Sequence, residues 1–293
     1  MTVLVSIDGR IVPPEEALVP VFDRGFLYGD SVYEVVRTYG AVPFALDEHL
    51  ERLERSAALL GIELPRKREH IRAEILDLVG RADHGDSYLR IIVTRGTGEI
   101  DLDPGAARDP RSVVIMQPLR PLPRDLADKG ASVLVVASGR FPGGAIPDGS
   151  KTGNYLGNLM ALGRAKRKGY HEAVLLSAAG MVAEGASSNI FIVRGGSVET
   201  PALSAGILAG ITRSIVIEEA RRASIGVRES LLGHGDLLGA DEAFLTSTLR
   251  DVLPVVRVDD TILGAGSPGP VTLRVREAYL AHVRGRIARD RRA

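Results

Sequence analysis

Apolar and polar positions alternate along "TVLVSIDGRIVP" at residues 2–13 and turn about a "DG" pair, the pattern of a hairpin. Between residues 30 and 65 the period changes. "DSVYEVVRTYG" is rich in β-branched and aromatic residues, as a strand requires. From Asp47 onward apolar side chains recur at Leu50, Leu53, Ala57 and Leu60, and this helical period stops at Gly61. A second helix is predicted over roughly 67–79 from Ile71, Ile75, Leu76 and Val79, followed by two apolar strands, "SYLRIIVTRG" and "SVVIMQPL". These elements make one α/β (α+β) domain over 1–118. "RPLPRDLADKG" carries proline and charge without an apolar period, so 119–131 is expected to be an interdomain linker.

The pattern restarts at "ASVLVVAS", a strand, which leads into a loop and then a helix, "NYLGNLMALGRAKRKG". That helix ends on Gly169 with basic residues in its last turn, where the helix dipole favours them. "EAVLLSAAGMVAEGASSNIFIVRGGSVET" reads as successive strands parted by "AAG" and "RGG" turns. "ITRSIVIEEARRAS" has a helical period through Ile215, Val216 and Ala220. "EAFLTSTLRDVLPVVRVDD" is strand material, and a C-terminal helix begins near Val271. A larger second domain is therefore expected over 132–293.

Composition narrows the function classes. Hydrophobic residues make up 45% of 293, enough for two cores, and 37 basic residues balance 37 acidic ones, so no global field draws the chain to nucleic acid or to an anionic membrane. There is no cysteine, which removes disulfides, thiolate metal sites and cysteine nucleophiles; no metal site is expected. No run reaches the ~18 apolar residues of a membrane span, and the first residues lack the charged and apolar regions of a signal peptide. A cytoplasmic protein is expected.

Lysine changes the picture. Only five of the 37 basic residues are lysines: Lys67, Lys129, Lys151, Lys166 and Lys168. Four sit in charged runs or beside a helix-ending glycine. Lys151, in "PDGSKTGNYLGN", has no charged neighbour within two residues and lies between a strand and a helix, where side chains commonly line a cleft. An amine that can lose its proton is a nucleophile; a guanidinium is not. Other polar residues could serve it. Glu184, set among small residues, reads either as an exposed strand carboxylate or as one held under a cofactor ring. Thr212, following Gly206 and Gly210 at a helix start, reads either as a helix cap or as part of an anion site. "TST" at 246–248 adds hydroxyls, and Arg52 reads equally as a solvated helix residue.

An amine, a carboxylate, an amide-lined anion site and an arginine are the parts needed to hold pyridoxal 5'-phosphate (PLP). Six segments in order, "DRGFLYGDSVYEVVR", "EHLERLERS", "KTGNYLGN", "EAVLLSAAGMVAEGASSNIF", "GITR" and "DEAFLTST", resemble the fold-type IV (class IV) PLP enzymes. These are the branched-chain aminotransferases, D-amino acid aminotransferases and aminodeoxychorismate lyase. The resemblance implies a two-lobed α/β fold with the cofactor at the interface of the lobes. It makes Lys151 the lysine that bonds covalently to the cofactor and Glu184 the partner of the pyridine nitrogen. Tyr155 becomes the hydrogen-bond partner of the phenolic oxygen, and Arg52, Ile211, Thr212 and Thr248 the phosphate cup.

For the substrate, the resemblance implies contacts from Tyr28, Tyr33, Tyr88, Arg90, Leu249 and Arg250. "SYLR" resembles the branched-chain type, with Tyr88 and Arg90 on the carboxylate side of the pocket, whereas "VYEVVR" resembles the D-amino acid type, with Val35 where branched-chain enzymes have glycine. Tyr33 and Arg250 would accept a second carboxylate or narrow the pocket. The expected activity is transamination between a branched-chain L-amino acid and 2-oxoglutarate. The alternative is a D-amino acid or (R)-amine transaminase, followed by a lyase like the aminodeoxychorismate enzyme. A cofactor-free lysine enzyme or a binding module that kept the fold forms a separate class. Expected partners are an amino donor and a 2-oxo acid acceptor, with no nucleic acid and no membrane. A homodimer or larger homo-oligomer is expected, in which the 95–104 loop reaches a neighbouring subunit's pocket.

Overall fold

The computed structural model describes residues 3–137 and 146–292, so Ser138, the expected last residue of the "ASVLVVAS" strand, lies outside the described residues. The chain divides into two compact units, one comprising Met1–Arg120, Ser150–Tyr155 and Ile287–Ala293, the other Pro121–Gly149 and Leu156–Arg286.

The first unit contains β1 (Leu4–Ile7), β2 (Arg10–Val12), α1 (Arg24–Tyr28), β3 (Ser31–Tyr39), β4 (Val42–Pro43), α2 (Leu46–Leu59), α3 (Arg68–Gly80), β5 (Ser87–Thr94) and β6 (Arg111–Pro118). Its six strands run in the order β2-β1-β6-β5-β3-β4, with every neighbouring pair antiparallel. Alternation sorts the side chains. Val32 and Val36 of β3 and Leu89, Ile91 and Val93 of β5 are buried in one core with Leu50 and Leu53 of α2 and Ile71, Ile75 and Leu78 of α3. Each such side chain contributes about 1.5–3 kcal/mol of burial. The odd-numbered β3 positions and the even-numbered β5 positions, among them Tyr33, Val35, Tyr88 and Arg90, occupy the opposite face. One expectation is corrected here: Leu76 is exposed, and Leu78 takes the core position. Ile71, Ile75 and Leu78 follow the i, i+4, i+7 line, from which Leu76 is turned by one residue.

The second unit contains α4 (Arg124–Lys129), β7 (Ala131–Ala137), α5 (Leu156–Arg167), β8 (Glu172–Leu176), β9 (Val182–Gly185), β10 (Asn189–Arg194), β11 (Ser197–Pro201), α6 (Ile211–Arg222), β12 (Val227–Ser230), α7 (His234–Leu238), β13 (Glu242–Ser247), β14 (Asp251–Val258), β15 (Thr261–Ile262) and α8 (Pro270–Asp290). Its sheet runs β12-β11-β10-β13-β14-β7-β8-β9, with β15 paired to β14. The pairs β11–β12, β14–β7 and β7–β8 are parallel. Parallel neighbours need a crossover, and α5 supplies it for β7 and β8. The stretch expected as a linker differs from its reading: α4 forms inside it, and Leu122 and Leu126 pack against the core of Val133, Val174, Ile190, Leu245 and Val255. That i, i+4 pair is a one-turn apolar stripe, too short to stand out among prolines and charges. Among the described residues no helix is long and apolar enough to cross a membrane.

Candidate active site

The lysine segment takes its position from a gap. β4 is two residues long and pairs only with Thr38 and Tyr39, which leaves the opening residues of β3 unmatched on that edge. Residues 151–153 fill it: Val32 bridges Thr152, the Tyr33 N–H donates to the Lys151 carbonyl (3.0 Å) and the Gly153 N–H to the Ser31 carbonyl (2.7 Å). The Lys151 N–H donates to Ser56 Oγ of α2 at 3.1 Å. A Cβ at 153 would stand 2.1 Å from Ser31 Oγ, so glycine lets the two backbones approach with that hydroxyl in place. The expected second-half residues 150–155 thus group with the first unit, because their backbone hydrogen bonds go to β3.

Side chains then converge. The Lys151 ammonium lies 4.4 Å from the Tyr33 ring centroid and 5.4 Å from that of Tyr155, and the two rings meet edge to face at 5.5 Å. The Arg90 guanidinium stands 4.1 Å from the same Tyr33 ring. Burial, with Tyr155 alongside, pushes the Tyr33 phenol well above its usual range, so it stays a neutral donor. Tyr88 shares the face of Arg90 on β5, and Val35 is the cross-strand partner of Arg90. Tyr28, at the end of α1, has its ring 5.0 Å from the Arg24 guanidinium.

Arg52 is no solvated helix residue. It is buried on the core side of α2, where its Nε and Nη2 donate to the two oxygens of Glu34 at 2.6 and 2.8 Å, and His49 Nδ1 lies 2.8 Å from Glu34 Oε2. Burial alone would raise the Glu34 carboxyl, but Arg52 and His49 outweigh it and hold the group far below the usual carboxylate range. Burial pushes the His49 ring down despite the carboxylate beside it. The cluster is therefore carboxylate, guanidinium and neutral imidazole at neutral pH.

In the second unit, Glu184 of β9 is half-buried, and its Oε2 accepts the Leu208 N–H at 3.0 Å and Asn189 Nδ2 at 3.4 Å. Asn189 also donates to the Leu208 carbonyl. Gly210 caps α6 without any side-chain acceptor, so the first amides of the helix, those of Ile211 and Thr212, point beyond it with no intrahelical partner. A Cβ at Gly210 would lie 2.0 Å from Asn189 Oδ1, so glycine here lets the residue that holds Glu184 pack against the helix start. Thr248 and Leu249 are half-buried in the turn between β13 and β14. Arg250 in that turn donates from Nη1 to Glu172 Oε2 at 2.7 Å.

A family model described as amino-transferase class IV matches residues 31–258, from β3 through β14. The chain is a class IV aminotransferase. A provisionally named branched-chain-amino-acid aminotransferase of Methanocaldococcus jannaschii is 37% identical over 94% of both chains. A D-alanine aminotransferase of Bacillus licheniformis is 34% identical over 94% of this chain and 95% of its own. Among solved structures, the branched-chain amino acid aminotransferase of Thermobaculum terrenum in its PLP form superposes with a TM-score of 0.88 at 30% identity, covering 99% of this chain and 96% of that one.

In this aminotransferase the residues that orient the expected groups escaped sequence reasoning. Glu34 and His49 hold Arg52, Ser56 holds the Lys151 backbone, and Asn189 with Leu208 holds Glu184. For Glu34 a signal existed. It shares a strand face with Val32 and Val36, so alternation put a carboxylate on the core side, where it requires a cation.

Proposed function

We propose that this class IV aminotransferase uses PLP to move an amino group between a branched-chain L-amino acid and 2-oxoglutarate. The observation that carries the reading is the shared aromatic wall of the first unit, where the Lys151 amine and the Arg90 guanidinium both lie against Tyr33. An amine able to move a proton beside a cation able to take a carboxylate is the arrangement an amino acid substrate needs.

The residues fit the cofactor. Glu184, fixed by two N–H donors, suits a protonated ring nitrogen. The uncapped start of α6 at Ile211 and Thr212 suits a phosphate, with Thr248 and Arg52 as further donors. Tyr155 is assigned to the phenolic oxygen. Bound PLP supplies an aldehyde that receives the amino group and a ring that draws electrons from the substrate Cα. Lys151 Nζ would take the proton from that Cα and deliver it to the carbon that was the aldehyde, with the Tyr33 and Tyr155 rings restricting the path of the side chain. Tyr88 and Arg90 are assigned to the substrate carboxylate side, and Tyr28, Tyr33 and Leu249 to the substrate side chain.

A second reading has its own support. Val35 is the cross-strand partner of Arg90 and stands where the branched-chain type has glycine, and a D-alanine aminotransferase is among the relatives. Adding L-leucine, and separately D-alanine, to the PLP-loaded protein and following its absorption separates them. Conversion to the amine form by L-leucine alone supports the branched-chain reading; conversion by D-alanine alone overturns it in favour of the other.

The assembly is proposed to be a homodimer or a larger homo-oligomer. Leu18, Val21, Phe22, Phe26, Ile100 and Leu102 of the first unit are all more than half exposed, and the Gly98 N–H to the Phe22 carbonyl joins the two stretches that carry them. So much exposed apolar surface on adjoining segments supports that reading. Light scattering reads the mass; a monomer overturns this part. The cytoplasm is the proposed compartment.

A further inference from the structure

Arg24, the first residue of α1, is buried, and three parts of the first unit meet on its side chain. Nε donates to Asp30 Oδ2 at 3.1 Å, Nη1 donates to the Asp101 carbonyl at 2.8 Å, and the guanidinium lies 5.0 Å from the centre of the Tyr28 ring, four residues on. Its backbone is fixed as well. The Arg24 N–H donates to the Gly96 carbonyl (2.8 Å) and the Asp30 N–H to the Arg24 carbonyl (3.2 Å). A lysine, with a point charge on a flexible stem, could not serve all three contacts at once.

Asp30 carries the connection further. The same Oδ2 accepts Arg95 Nε at 2.8 Å, while Arg95 Nη1 and Nη2 donate to the carbonyls of Gly61 (2.6 Å) and Leu60 (2.8 Å), where α2 ends. A guanidinium there satisfies carbonyls the helix leaves over and suits its dipole. α2 also carries Ser56, which holds the Lys151 backbone. At the other end, the 99–103 segment has only local anchors besides Arg24. Among the described residues, its remaining hydrogen bonds run from the Asp101 N–H to the Glu99 carbonyl, from the Asp103 N–H to Asp101 Oδ1, and to Asp103 from the Gly105 and Ala106 N–H groups. The exposed side chains of Ile100 and Leu102 flank the carbonyl that Arg24 grips.

We propose that Arg24 is a positioning residue for the substrate side chain. It fixes the Tyr28 ring and the 99–103 segment to one another, so the ring and the apolar residues on either side of Asp101 keep a set spacing, and Asp30 ties them to the end of α2. The inference rests on the proposed assignment of Tyr28 to the substrate side chain.

Removing this guanidinium leaves the charges matched. Two guanidiniums share the one Asp30 carboxylate, so in Arg24→Met the Asp30–Arg95 pair remains and no buried charge is stranded. The PLP-loaded protein is used throughout. In Arg24→Met, amide hydrogen exchange across 99–103 is expected to quicken about fivefold, while PLP affinity and exchange in α2 stay within about twofold of wild type. KM for L-leucine is expected to rise about tenfold with kcat within about twofold, whereas KM for L-2-aminobutyrate, with its shorter side chain, rises less than about threefold. Arg24→Lys, which keeps one donor, is expected to fall between wild type and Arg24→Met. Unchanged exchange across 99–103 overturns the proposal whatever the substrate. An equal loss with both amino acids overturns it too, because an arginine that only stabilises the fold would not distinguish them. A wild type that uses D-alanine and not L-leucine overturns the functional reading alone; exchange across 99–103 still decides the coupling, and the side-chain comparison is then made between D-leucine and D-alanine.

Discussion

Arg52 with Glu34 and Arg250 with Glu172 are the same chemical pair in two settings. The first is sealed: side-chain exposures are 6% and 0%, and a buried imidazole completes it. The second has its carboxylate sealed, but its guanidinium reaches solvent and leans on serine hydroxyls. In a sealed pair either partner left alone is a charge that water cannot reach. In the half-open pair water can replace the missing carboxylate. The same contact is therefore obligatory in the first unit and adjustable in the second.

The largest effect expected lies outside both pairs: Lys151→Ala should lower transamination by more than about a thousandfold, read as turnover of L-leucine. Retained turnover would return the lysine to an ordinary surface role. Next comes Glu34→Ala, which strands Arg52 and should cost about 3–5 kcal/mol in urea unfolding. Glu172→Ala, with its arginine partly hydrated, should cost about 1–3 kcal/mol in the same measurement. Equal costs for the two would erase the distinction between them.

Acid sharpens it further. His49 is held below its ordinary value of 6.5, so the unfolded chain takes up a proton before the folded one does, and its stabilising contribution is present above 6.5 and lost as pH falls below. Glu34 is held below its ordinary 4.5, so its contribution persists to lower pH and is lost only below that value. Melting temperature should decline from about pH 6.5 downward, and His49→Gln should flatten the upper part of the decline. The smallest effect is expected at Arg72, whose pair with Asp47 is 48% and 57% exposed; Arg72→Ala should change stability by less than about 1 kcal/mol.

Much of this was legible along the chain where partners are near in sequence. The hairpin about "DG", the stripe of α2 and the strand–loop–helix around Lys151 follow from local period and turn chemistry. The scarcity of lysine singled out the amine. What stayed hidden is pairing at a distance. Nothing in "GSKTGN" announces that it pairs with β3, more than a hundred residues earlier in the chain; that follows from the shortness of β4. Glu172 reads as the first residue of a strand until the fold brings Arg250 to it. The short elements α1, α4 and α7 have too few residues to display a period at all.

The route of the backbone through the two units bears on how the molecule is made. The first unit borrows Ser150–Tyr155 from the middle of the chain and its last residues from the end. A ribosome that has released residues 1–120 has therefore released an unfinished body, with the first residues of β3 unpaired along one edge until residue 153 emerges. The first unit is therefore completed only after residue 153 has emerged. A fragment cut at 120 should expose that edge and associate with itself, and one extended to 155 still lacks the terminal turn of α8.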